Sequence, residues 1–135
     1  MDLLDRLRER AASLPELKLA VLFGSTARGQ ARKGSDVDLA LLVDPDTPDA
    51  RRKALIELER AAGREVDPVF ISDAPPLLRS EITRDGILIF QRQEDLWGRF
   101  KERAILDWWD WAPNARTLTK AAVQRLREKV ANGQS

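Results

Sequence analysis

Two aspartates one residue apart, Asp36 and Asp38, stand ten residues behind a glycine-serine pair, Gly24-Ser25, and a third aspartate, Asp67, lies further along. Residues two apart on a strand project to one face, so Asp36 and Asp38 aim their carboxylates at one point while Val37 turns into a core. Like charges that close repel each other unless a cation sits between them. Magnesium suits the pair, because it prefers carboxylate oxygens and bridges to substrate phosphates. One or two such ions would stabilise the attacking and leaving oxygens of a phosphoryl displacement. Gly24 lets a backbone approach closely, and a helical turn after it leaves free N–H groups for phosphate oxygens. Ser25 has a hydroxyl to donate to a phosphate, and Arg28, one turn on, has charge to neutralise it. Asp67 would ligate a metal, accept the proton of an attacking hydroxyl, or do both. Singly, each feature is ordinary: Gly-Ser turns are common, Asp-x-Asp often caps a strand in solvent, and Asp67 or Arg28 alone reads as a surface charge. Their joint order answers no structural need.

The elements that must position these residues follow from the patterning. Leu3, Leu4, Leu7 and Ala11 predict a helix over residues 2–13, and a strand over 18–23 ends at Gly24. A second strand spans 36–43, closed by the turn-forming Asp44-Pro45-Asp46. Pro48 opens a helix over 48–62, with Ala54, Leu55, Leu58 and Ala62 on one face and Gly63 as its stop. Residues 65–71 form a third strand, in which Pro68 points to an edge or a bulge. A short helix over 75–84 precedes a fourth strand at 86–90. From about 93 only helical periodicity remains, in one segment to about Trp111 and another from about Asn114 to Val130, separated by Pro113. The expected architecture is a small α/β (α+β) domain, residues 1–92, with a mixed sheet flanked by helices. A two-helix extension, residues 93–135, packs on it.

Composition restricts the chemistry further. The chain has no cysteine and no histidine, which removes thiol catalysis, the commonest general base and the usual zinc ligand. Carboxylates remain as the only acid–base groups suited to the site. A formal net charge of +1 gives no sign of direct nucleic-acid binding. The charged start of the chain is unlike a signal peptide, and no apolar run approaches the roughly 20 residues of a membrane span. The expectation is a cytoplasmic protein without membrane contact.

At residues 24–44, GSTARGQARKGSDVDLALLVD, the chain resembles the minimal nucleotidyltransferase family of the DNA polymerase β-like nucleotidyltransferase superfamily. That family joins Gly-Ser to Asp-x-Asp across a ten-residue gap and adds a third acidic residue on a later strand. The resemblance covers about residues 15–90. It implies ATP and Mg2+ as ligands, Gly24 and Ser25 on the triphosphate, Asp36 and Asp38 on metal, and Asp67 as third carboxylate. Arg28 and Gly29 match the Ala-Arg-Gly portion often found after Gly-Ser, as further nucleotide contacts. Pro68 departs from the family, which usually has an aliphatic residue there. The resemblance also implies an antitoxin that transfers AMP to a tyrosine of a HEPN-type toxin. This chain has no tyrosine, so a tyrosine acceptor would sit on another molecule.

Four tryptophans lie within the extension, at 97, 108, 109 and 111. Trp97, Phe100, Ala104 and Trp108 share helical spacing and form a stripe expected to pack on the catalytic domain. Trp109 and Trp111 fall off it. Large aromatics off a core face are typical interface anchors, so a partner surface and a homo-oligomer contact are both open. Two other functions stand beside protein adenylylation. One is adenylylation of a small molecule such as an antibiotic, for which the chain is short of a substrate domain. The other is a non-catalytic module that masks its partner through the tail.

Overall fold

The computed structural model describes residues 1–27, 36–115 and 128, the side chains of 25, 26 and 111–115 excepted. Helix α1 spans Leu3–Ala12. It opens on Asp2, whose side chain accepts from the Asp5 N–H at 2.8 Å, satisfying one of the donors every helix start leaves free. Strand β1, Leu17–Phe23, runs directly into a single helical turn, α2, Gly24–Ala27. Strand β2 covers Val37–Val43.

Helix α3 spans Pro48–Ala62, as its punctuation predicts: Thr47 caps it, Pro48 occupies the first turn and Gly63 leaves it with φ +71°. Strand β3, Val66–Phe70, passes into a 3-10 turn at Ile71–Asp73, too short to leave a periodic signal. Helix α4, Pro76–Asp85, strand β4, Ile87–Gln91, and helix α5, Leu96–Ala115, complete the described chain.

The four strands form one mixed sheet in the order β3-β2-β1-β4. Strand β1 is antiparallel to both β2 and β4, and β2 is parallel to β3. Pro68 thus lies on an edge strand, as its chemistry requires. Each sheet face carries its own core. Leu17, Leu22, Val37, Leu39 and Leu41 meet Leu7 and Ala11 of α1 and Ala54 and Leu58 of α3. On the other face Leu19, Val21, Ala40 and Val69 meet Leu78 and Ile82 of α4, with Trp97 and Phe100 of α5 packed against them.

The extension departs from expectation at Pro113. Helix α5 does not break there but continues to Ala115. Pro113 falls in the last turn described, where its missing N–H costs the single bond to the Trp109 carbonyl rather than interrupting a long ladder. The second expected segment, from about Asn114 to Val130, lies outside the described residues apart from Asn114, Ala115 and Glu128. Trp97, Phe100 and Ala104 face the core as the stripe predicts, whereas Trp109 is 72% exposed. Trp111 belongs to the residues whose side chains are not described. Among the described residues no helix is long and apolar enough to cross a membrane.

Candidate active site

The alternation of β2 decides where its acidic residues emerge. Leu39 and Leu41 enter the α1/α3 core and Ala40 the opposite one. Asp38, two before Ala40, therefore projects from the face that α4 and α5 cover. Asp67, two before Val69, projects from the same face of β3. The parallel register sets Asp38 directly opposite Asp67, with Val37 opposite Val66 and Leu39 opposite Pro68. Two residues distant in sequence are thereby brought side by side at the start of both strands.

The Asp38 carboxyl group lies within hydrogen-bonding reach of Asp67. Asp67 is partly buried, and burial raises its pKa above the ordinary 3.8; the charge of Asp36 raises it further, while the bond with Asp38 acts in the opposite direction. Asp36 itself sits just ahead of β2 and is exposed.

Gly24 closes the site from β1. Phe23 pairs with Asp38 across the antiparallel ladder, so the following residue passes beside the aspartate. Gly24 has φ +73°, and a Cβ built on it would fall 2.3 Å from Asp38 Oδ2 and 3.0 Å from its Cγ. The Asp38 carboxylate occupies the space that any other residue at 24 would fill. Ser25 lies in the turn that begins at Gly24. Arg28 and Gly29 lie outside the described residues.

Among the described residues no group of three acidic side chains is spaced to hold a metal ion. Of the three expected carboxylates, Asp38 and Asp67 stand side by side, with Asp36 close enough for its charge to be felt. The donor set fits a hard divalent cation, because it offers oxygen ligands only and its mutual repulsion is the kind a cation relieves.

The role of Gly24 against Asp38 had no local signal in the sequence, because it arises from pairing between strands. The register of β2 on β3, which makes Asp67 the neighbour of Asp38, was likewise not legible from spacing.

A family model described as polymerase β, nucleotidyltransferase matches residues 5–95. The protein adenylyltransferase MntA of Shewanella oneidensis is 33% identical over 85 residues, 62% of this chain and 60% of that protein. The protein adenylyltransferase MntA of Aphanizomenon flos-aquae is 27% identical over 104 residues, 69% of each chain. The first match thus spans less than two thirds of its relative's length. A crystal structure of a toxin-antitoxin with AMP-PNP contains a chain that superposes with a TM-score of 0.71 at 24% identity, covering 85% of this chain and 94% of that one. That likeness is one of fold.

Proposed function

The chain belongs to the polymerase β nucleotidyltransferase family, and from that premise we propose that it is a protein adenylyltransferase, the antitoxin of a pair whose partner is a HEPN-type toxin. ATP is the donor and a hydroxyl of the partner protein is the acceptor. The observation that carries this reading is the placement of Asp38 against both Asp67 and Gly24, in a chain related to two protein adenylyltransferases.

Asp36, Asp38 and Asp67 would hold Mg2+, which when bound offsets the negative charge of the phosphates. The acceptor oxygen forms a bond to the α-phosphorus of ATP, the bond from that phosphorus to the pyrophosphate oxygen breaks, and pyrophosphate leaves. The acceptor's proton needs a base, and Asp67 is the group placed to take it. With no histidine in the chain, a carboxylate is the available type of base. Gly24 and Ser25 bind the triphosphate, the glycine by admitting its oxygens close to the backbone. Arg28 and Gly29 complete the nucleotide contacts.

The test is transfer itself. The chain is incubated with Mg2+, ATP labelled at the α-phosphate, and a HEPN-type partner, with an aminoglycoside as a second acceptor. Label is expected on the partner protein and none on the antibiotic. Asp36→Asn and Asp38→Asn should each lower the rate at least about 100-fold, the scale on which loss of transition-state charge stabilisation acts. Undiminished transfer by both variants would remove the metal assignment, and label on the small molecule alone would replace the acceptor.

A further inference from the structure

We propose that Pro68 is a positioning residue for Asp67: it holds the third carboxylate in line with Asp38 by restricting the backbone that carries it. The proposal rests on the metal-site reading above. It starts from a weakness of the fold. Asp67 is the second residue of a five-residue strand, Val66–Phe70, on the edge of the sheet. A short edge strand is bonded on one side only, and its first residues are where pairing frays. A ligand or base placed there needs a further restraint.

The phase of the ladder shows that proline supplies one without cost. Val37 N–H donates to the Glu65 carbonyl at 3.0 Å. In a parallel ladder of that phase, alternate residues of β3 turn their backbone groups toward β2. Those residues are Glu65, Asp67 and Val69; the nitrogen of Pro68 faces the open edge, where an N–H would have no strand to meet. The register passes through Pro68 without a shift, Asp67 opposite Asp38 and Val69 opposite Ala40. The bulge that a proline can impose is therefore absent from this pair. A proline ring also excludes the helical region for the residue before it. Asp67 is thus biased toward the extended conformation that the register with Asp38 requires.

Pro68→Val tests this, because valine favours strands and its N–H would face the open edge, so no ladder bond is gained or lost. Mn2+ serves as the probe, its affinity for the full-length chain read from the free-ion electron paramagnetic resonance signal without nucleotide or acceptor. Pro68→Val should weaken Mn2+ binding about two- to fivefold, the scale on which a proline restraint acts. The same substitution in an Asp67→Asn background should produce no further change. Thermal unfolding in chelator, run alongside, reports whether the variant folds. Equal affinity of wild type and Pro68→Val would overturn the proposal, as would an equal loss in the Asp67→Asn background. Should the wild type fail to bind Mn2+ in a manner that depends on Asp38, the metal reading falls and this proposal falls with it.

Discussion

Gly24 meets two separate demands, and a substitution there would violate both. Its φ of +73° is a region that side chains disfavour, and its missing Cβ leaves the space filled by the Asp38 carboxylate. In Gly24→Ala, at least one of the turn and the aspartate must move. We expect a loss of stability of about 1–3 kcal/mol from backbone strain, and a fall in transfer rate of about 100-fold, because misplaced catalytic groups lose that much for shifts near 1 Å. Urea unfolding and initial rates measure the two separately; near-normal rates would show that Asp38 tolerates displacement. At this scale the sequence was informative wherever chemistry follows local period. Asp36 and Asp38 were legible because strands alternate every two residues. The pairing of Asp38 with Asp67 was not, because it depends on a parallel register fixed across the intervening helix α3.

Elements were legible where they carry their own start and stop signals. Pro48 and Gly63 bounded α3 to the residue, whereas α5 runs through Pro113, which removes only one ladder bond. What joins elements was not legible. Arg51, in the first turn of α3, donates from Nε to Asp46 at 2.6 Å and from Nη1 to Asp73 at 2.7 Å, and lies 4.5 Å over the Phe70 ring. It clamps the 3-10 turn after β3 to the entrance of α3. The Arg51 hydrogen bond lowers the Asp46 pKa from 3.8 to about 2, against an opposing effect of burial that outweighs the further lowering by the Ser72 hydrogen bond. Folding therefore favours the ionised carboxylate. That stabilisation is fully present above pH 3.8 and is lost as pH falls through about 2. Asp46→Asn should thus be less stable than wild type at pH 6, with the gap closing between about pH 4 and pH 2. Urea midpoints of both proteins across that range decide it, and a gap independent of pH would exclude the charge as its source.

For the molecule as a whole, the question is whether the site-bearing part, residues 1–92, stands without the helix that follows. The sequence places there an extension that packs on the domain through one stripe, and α5 completes the second core with it. The rings of Trp97 and Phe100 stack with centroids 5.6 Å apart and pack against the cluster of Leu19, Val21 and Ile82, and Ala104 is 1% exposed. Gly86 keeps that seam close: a Cβ there would fall 2.7 Å from Val21 Cγ1 and 3.1 Å from Trp97 Cη2. Arg79 of α4 adds an ion pair with Asp107 of α5 at 3.6 Å. Ending the chain after Gln93 would strip these contacts from the face of the sheet on which Asp38 and Asp67 emerge. Two partly buried aromatic side chains at about 1–1.5 kcal/mol each amount to roughly 2–3 kcal/mol, a sizeable part of the about 5–15 kcal/mol that keeps a domain folded, before counting the core residues left exposed beneath them. The truncated chain should therefore lose its cooperative urea transition or shift it far downward. Trp109→Ala removes a larger side chain from the same helix but from its 72% exposed face, and should change stability by no more than about 0.5 kcal/mol. An unchanged midpoint after truncation would make α5 an appendage after all; a large loss in Trp109→Ala would place that ring in contacts beyond those of the core.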